Sequence, residues 1–494
     1  MKKMRFRLAW LVVAVLLASL ITGCAEPEPE PDPNLAVLNI AAIVTAEDIS
    51  QLDQYPNLTE ADLRGSDCYD AILTYTKDHP AVSVTYDVAI GAERYTTDTK
   101  ELVLAADTLD YDSLLNNLKY LPEVKDVSFP NIALTLEQLA EIREAYPNVT
   151  FSYTVEILGN AHSPDVTELD LSDLQNDDIE NMARKLAYLP AVEKITLTKE
   201  DGSNTLYPVE VKQLQDLTDG IFFEYRFDLF GKTVSTSDEV IEYDEVAIGN
   251  EGEQQIREAL EILTSCTYIK FDDCGIDSTV MAGIRDDYPD VKVVWRIHIE
   301  QYNMLTDETM LRLTFVLEDY NIDELKYCTD VVYMDIGHNS TLHDISFTAY
   351  MPKLECLILS GSSVSDLTPL ANCKNLIWLE LCFCGHIQDL TPLKEIEGLK
   401  YLNVGYTIAK DFTPLDNLKN LERFVCMGTP AATQEKNRFV ELHPDCLSVL
   451  KGKQPYGYGW RYDDHGYTFF EYYRNMREIF RYAEKDYRGN MKGK

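Results

Sequence analysis

Side chains able to do chemistry are plentiful in this chain but seldom spaced as chemistry requires. The eight histidines are scattered, with no helical pair at ligand spacing. There is no Gly-x-Ser-x-Gly elbow, no His-Glu-x-x-His helix and no phosphate-cradling loop. Cys382-x-Cys384 is too short for a redox pair and lacks the second half of a zinc site. Asp272-Asp273 has no recognisable calcium-loop spacing around it. Dispersed carboxylates leave a glycosidase pair open, and an enzyme or enzyme accessory therefore stands as a lesser alternative. No catalytic residue, metal ligand or cofactor is assigned.

The elements that would position these groups are repetitive. Asp366-Leu367-Thr368-Pro369-Leu370 recurs as Asp389-Leu390-Thr391-Pro392-Leu393 and as Asp411-Phe412-Thr413-Pro414-Leu415, at spacings of 23 and 22 residues. A period of this size marks a solenoid of short stacked turns. Ahead of each phrase lies a second pattern of three apolar residues and a small polar one. It reads Leu354, Leu357, Leu359, Ser362, then Leu376, Leu379, Leu381, Cys384, then Leu399, Leu402, Val404, Thr407. Flanking turns read Val331, Met334, Ile336, Asn339 and Leu421, Phe424, Cys426, Thr429. Alternation at the second and third apolar positions predicts a short strand with one buried face. The polar residue turns the chain by bonding free backbone groups. Thr-Pro predicts a helix start, with Thr as cap and Pro at the first helical position.

These turns resemble the leucine-rich repeat family, and the Asp-Leu-Thr-Pro-Leu wording is most similar to the 22-residue class of internalin-type bacterial surface proteins. The likeness covers residues 329–430. It implies an α/β solenoid whose role is recognition or adhesion.

The preceding part, 36–328, repeats on a longer period. Leu118-Lys119-Tyr120-Leu121-Pro122 matches Leu186-Ala187-Tyr188-Leu189-Pro190, with looser copies at Leu260 to Leu263 and Leu325 to Cys328. A second strand type carries Tyr86, Tyr153, Tyr225 and Trp295, spaced 67, 72 and 70 residues apart. Seventy residues is about three short turns. The reading is a super-repeat of three irregular leucine-rich-like turns, continuous with the regular array; a chain of small separate α/β domains is the alternative. Between Ile299 and Tyr320 the register is poor, as a bend or insertion would make it.

Residues 1–23 read as a signal peptide: Lys2, Lys3, Arg5 and Arg7, then an apolar stretch from Leu8 to Leu20 that is short for a membrane span. Ile21-Thr22-Gly23-Cys24 resembles the lipobox of bacterial lipoproteins, which implies lipidation of Cys24 through its sulfur; an ordinary secretory signal is the alternative. Residues 24–35 form a stiff charged tether in which Glu or Asp alternates with Pro from Glu26 to Pro33. The expected location is extracytoplasmic, on a membrane, at the cell surface.

The chain carries 44 basic and 83 acidic residues, a net charge of −39. Removing the leader takes four basic residues and no acidic one, leaving 40 against 83, or −43. Nucleic-acid binding needs the opposite balance. Of the eleven cysteines, Cys274 and Cys384 sit at the polar turn and Cys426 in an apolar slot, and they read as structural thiols.

From Pro430 the pattern stops, and 431–494 reads as a C-terminal cap dense in aromatics, with Phe469, Tyr473, Met476, Phe480 and Ala483 at helical spacing. A carbohydrate- or wall-binding module is the alternative.

Strand residues beside the buried leucines face the concave side. One column reads Tyr333, Cys356, Trp378, Tyr401, Arg423 and the other Asp335, Ile358, Glu380, Asn403, Val425. Outward aromatics on adjacent strands predict an exposed binding ribbon. Candidate partner-binding residues are Tyr333, Asp335, Ile358, Trp378, Glu380, Tyr401, Asn403 and Arg423. The resulting expectation is non-catalytic binding of a protein or glycan partner, with an envelope spacer as the rival.

Overall fold

The computed structural model describes residues 34–39, 44–463 and 467–483. The leader, Cys24 and most of the tether lie outside them. The described residues form two compact units divided between Tyr225 and Arg226. That division falls inside the segment 36–328, which the sequence presents as one run.

The first unit holds three sheets of three parallel strands each. They comprise Val37–Asn39, Glu60–Asp62 and Ser83–Thr85; then Glu101–Val103, Asp126–Phe129 and Thr150–Tyr153; then Glu168–Asp170, Lys194–Thr196 and Phe222–Glu224. Three turns per super-repeat is the expected number. The third strand of the first two sheets runs straight on into an antiparallel hairpin, Asp87–Ile90 with Glu93–Thr96 and Val155–Ile157 with Asn160–His162. The hairpins lengthen the repeat beyond three minimal turns, a feature that alternation alone does not distinguish from a longer strand.

Two of the four recurring aromatics, Tyr86 and Tyr153, stitch one super-repeat to the next, whereas Tyr225 donates to the Leu206 carbonyl and Trp295 Nε1 to Ser278 Oγ. Tyr86 donates its hydroxyl proton to the Tyr120 carbonyl at 3.3 Å, and Tyr153 to the Tyr188 carbonyl at 2.8 Å. Tyr120 and Tyr188 are the tyrosines of the repeated Leu-x-Tyr-Leu-Pro phrase, so two separate sequence signals meet in one contact. Each ring is buried, and its hydroxyl is satisfied by a helix-end carbonyl that would otherwise be an orphan.

The second unit begins with the hairpin Arg226–Leu229 and Lys232–Ser235. A sheet of Val240–Asp244, Tyr268–Asp272, Lys292–Ile299 and Tyr302–Leu305 follows. The poor register after Ile299 is the return strand of this second hairpin. Seven parallel strands then stack in chain order: Met310–Arg312, Tyr333–Asp335, Cys356–Ile358, Trp378–Glu380, Tyr401–Asn403, Arg423–Val425 and Leu447–Val449. The repeat therefore extends one turn beyond each end of 329–430. The final turn, with helix Thr433–Leu442, corrects the reading that the pattern stops at Pro430; a helix there hides the short-repeat wording. This is the leucine-rich repeat α/β solenoid that the sequence predicts.

The Asp-Leu-Thr-Pro-Leu phrase works differently from its prediction. It forms a short 3-10 helix, and Thr makes no side-chain cap. The aspartate caps instead: the Oδ1 atoms of Asp366, Asp389 and Asp411 accept the amides of Thr368, Thr391 and Thr413 at 2.8, 2.8 and 2.9 Å. Asp344 does the same for Ser346 at 2.7 Å. The three to five residues of each helix are few for an α-helix, and an Asx turn two residues ahead suits a 3-10 start.

At the polar turn position, Asn339 is buried with four bonds to backbone. Its Oδ1 accepts from Val316 N (2.7 Å) and Leu317 N (3.0 Å), and its Nδ2 donates to Leu313 O (2.9 Å) and Ile336 O (2.8 Å). Thr407 and Thr429 bond a single carbonyl each, Val404 O and Cys426 O, at 2.8 Å. All ten cysteines of the described residues are free thiols, and nine are buried. Burial pushes the Cys373 and Cys426 thiols up to about 12, as expected of inert structural side chains.

Candidate functional site

The two concave columns form as expected, with their side chains on one face of the seven-strand sheet. They are not exposed. Residues 455–463 and 467–482 of the C-terminal segment cross this face as a strap and fill it. Trp378 and Glu380 are 0% exposed, and Asp335, Ile358, Tyr401 and Asn403 are buried with them. Tyr333 and Arg423 are half-buried at the two ends. The expected open binding ribbon is thereby corrected: its partner is the chain's own tail. Sequence spacing identifies which residues face the groove, but it carries no information on where a segment a hundred residues later lies.

The strap satisfies the groove residue by residue. Trp378 packs against Trp460 at a 40° tilt with ring centroids 4.0 Å apart and lies near-parallel to Tyr472 at 5.7 Å and Tyr473 at 5.9 Å. Tyr333 meets Phe480 edge-on at 6.3 Å. Arg423 covers the Phe470 ring at 3.9 Å and donates to the Tyr462 carbonyl at 2.9 Å. Asn403 Nδ2 donates to Pro455 O at 2.8 Å. Asp335 accepts from the Tyr482 hydroxyl and from Gly337 N at 3.1 Å. Arg312, on the first strand, donates to Phe480 O at 3.3 Å. The helix Glu471–Ile479 supplies Tyr473 and Met476, as the helical spacing of the tail predicts.

Glu380 is the centre of the assembly. Its carboxylate accepts from Ser360 Oγ at 2.7 Å, from the Trp460 indole N–H and from the Arg461 guanidinium. Burial raises the Glu380 pKa, but the charge and hydrogen bonds of Arg461, with those of Trp460 and Ser360, outweigh it and hold the carboxyl below 4.5. Asp335 behaves oppositely: burial lifts its pKa above 3.8 despite the bonds from Tyr482 and Gly337. A lowered folded pKa gives stability that is complete above the unfolded value and lost as pH falls through the folded one. A raised one gives stability at low pH that fades as pH rises through the folded value. The ion pair therefore weakens only in acid below about 4.5, whereas the protonated form of Asp335 favours the strap there. Hydrogen exchange of residues 455–482 is expected to stay slow at neutral pH and to accelerate first around Trp460 and Arg461 on acidification, ahead of Tyr482.

Trp378 Nε1 and the Tyr472 hydroxyl are among the buried polar atoms that have no hydrogen-bond partner. An unpaired buried hydroxyl costs about 1–3 kcal/mol. Tyr472→Phe is expected to stabilise the protein by roughly 1 kcal/mol in urea denaturation, a gain that an exposed hydroxyl would not give.

A different aromatic column remains open to solvent, and it was not legible as a site. One residue per turn, two places after the third apolar position, lies in the left-handed region: Phe315 (φ 60°), His338 (61°), Gly361 (75°), Phe383 (65°), Tyr406 (60°) and Gly428 (74°). Its amide continues the ladder past the strand end. His338 N donates to Ser360 O at 2.7 Å, Gly361 N to Cys382 O at 3.0 Å, Phe383 N to Gly405 O at 2.9 Å and Tyr406 N to Met427 O at 2.9 Å. Left-handed backbone costs a bulky residue about 1–2 kcal/mol, yet four of six rungs carry rings. Phe315 is 66% and Phe383 45% exposed. The available signal was a glycine in every third or fourth copy of one register position.

Phe315 stacks on His338 at 4.9 Å, and Phe383 on Tyr406 at the same 4.9 Å. The acidic neighbours Asp344, Asp366, Asp389 and Asp411 form an exposed column five or six residues further along these turns. Hydrogen bonds from Thr368 and Thr413 hold the Asp366 and Asp411 carboxyls below the usual range. Among the described residues, no cluster of three or more His, Cys, Asp or Glu could hold a metal ion, and no helix is long and apolar enough to cross a membrane.

No protein-family model matches the chain. No curated protein matches it either. Among solved structures, internalin C2 of Listeria monocytogenes is similar at 16% identity and a TM-score of 0.25, over 30% of this chain and 66% of that one. Another internalin of that organism, InlF, is similar at 17% identity and a TM-score of 0.28, over 73% of this chain and 84% of that one. A leucine-rich repeat protein of Leptospira interrogans is similar at 14% identity and a TM-score of 0.25, over 81% and 92%. Likenesses at these TM-scores carry no argument of their own; the leucine-rich repeat solenoid is what the seven stacked parallel strands build.

Proposed function

We propose that this chain is an extracytoplasmic lipoprotein, anchored through Cys24, that recognises a protein partner without catalysing a reaction. The binding surface is the exposed rim column rather than the concave groove. The observation that carries this reading is the run of solvent-facing rings on left-handed backbone. Local strain retained on an exposed apolar patch suits a surface selected for contact. The groove, by contrast, is packed like a core, and opening it breaks the Glu380–Arg461 pair and exposes the rings of Trp378 and Trp460.

The test pairs anchoring with binding. Cys24→Ser is expected to abolish incorporation of a fatty-acid label and release the chain from membranes. Affinity capture with a Phe315→Ser, Phe383→Ser variant, still folded by circular dichroism, is expected to lose a partner that the wild-type chain holds. A partner retained by this variant sinks the rim reading. A captured glycan in place of a protein overturns the choice of partner class.

A further inference from the structure

The rim column has one unfilled rung, and its geometry specifies a ligand. The rings pair away from Gly361: Phe315 with His338 on one side, Phe383 with Tyr406 on the other. The second glycine of the column is not comparable. A Cβ on Gly428 would lie 2.6 Å from Cδ1 of Tyr406, because that ring already leans over the rung. At Gly361 the nearest atom to an added Cβ is His338 Nδ1, at 3.6 Å, an ordinary contact. Gly361 therefore leaves a space bounded by two exposed rings. Adjacent rungs of a sheet lie about 4.8 Å apart, so a flat group placed there meets His338 and Phe383 at the spacing of the stacks already present.

We propose that the Gly361 rung receives an arginine side chain of a basic protein partner, its guanidinium completing the aromatic stack between His338 and Phe383. Several observations favour arginine over other planar groups. Guanidinium is flat, stacks on ring faces and stays charged, whereas lysine offers only a point charge. The chain carries 83 acidic against 44 basic side chains, so a cationic partner is drawn to it and a nucleobase on a phosphate backbone is repelled. The carboxylates of Asp344, Asp366, Asp389 and Asp411 run in register with the rungs, one per turn. The protein's own strap uses the same chemistry, with Arg423 over Phe470 at 3.9 Å and Arg461 over Tyr473 at 5.2 Å.

The inference rests on the rim being the recognition surface and adds the chemistry of what it recognises. Its test uses the full chain and three peptides of alternating glycine with arginine, lysine or citrulline. The arginine peptide is expected to bind about tenfold more tightly than the lysine peptide of equal charge, and the citrulline peptide, flat but neutral, more weakly than arginine. Gly361→Phe fills the rung with the chain's own ring, as its neighbours already do, and is expected to abolish the preference for arginine. Phe383→Leu keeps the apolar bulk, removes the ring face and is expected to do the same, so the outcome survives if the first variant fails to fold. Equal binding of arginine and lysine peptides overturns the proposal, as does tighter binding of citrulline or a preference that persists in both variants. Loss of the natural partner in the Phe315→Ser, Phe383→Ser variant, with no arginine preference in the peptides, rejects this ligand while leaving the rim reading intact.

Discussion

Arg461→Ala is expected to destabilise the second unit by about 3–5 kcal/mol, because it leaves Glu380 as a buried charge without its counter-ion. The loss exceeds what removal of a surface ion pair costs, since Glu380 is fully buried and has no water to turn to. The pair can be separated from its surroundings by a double-mutant cycle. Glu380→Gln retains an acceptor for Ser360 and Trp460 and removes the charge that Arg461 answers. Glu380→Gln with Arg461→Ala is expected to recover at least half of the loss, because the uncompensated charge is then gone. The measurement is urea denaturation followed by tryptophan fluorescence, which reports directly on Trp378 and Trp460, with proteolysis of the strap as a second readout. If Arg461→Ala costs under 1 kcal/mol, Glu380 is solvated in practice and the strap is a loose cover.

The second large effect is at Asn339. Asn339→Leu removes the partners of two amides and two carbonyls that the turn encloses. At about 1–3 kcal/mol per unsatisfied buried group, the expected cost is at least about 4 kcal/mol. Thr407→Val, which removes a single bond at the equivalent position of a later turn, is expected to cost about 1 kcal/mol. The ratio between the two is the useful quantity, since both turns belong to one seven-strand array and share the same reference state. Comparable losses at both sites would mean that water replaces the asparagine in the variant.

The sequence was informative wherever the physics is local. The period of 22–23 residues, the alternation within each strand and the small polar turn residue all follow from contacts between adjacent turns, and they place strands such as Leu357 and Leu379 in register. Thr-Pro reads as an α-helix start capped by Thr, whereas in these 3-10 starts the aspartate two residues ahead is the cap. The identity of the groove residues was legible, from Tyr333 to Arg423. Their burial was not, because it depends on a segment far along the chain, 147 residues away in the pair of Asp335 and Tyr482. The left-handed rungs leave almost no sequence mark: Phe315, Phe383 and Tyr406 are residues that ordinary turn rules would exclude there.

The strap also bears on how the second unit is made. Most solenoids assemble like a zip, each turn closing on the one before as it emerges. Here Arg312 on the first strand and Arg423 on the sixth both await residues beyond 460. During synthesis or export the aromatic groove exists, uncovered, until the last part of the chain arrives. The array thereby acquires one set of contacts of high order among many of low order. Refolding should accordingly show a fast phase that builds strands and a slower one that quenches or shifts Trp378 emission, and the interval between them is when the protein is most exposed to aggregation.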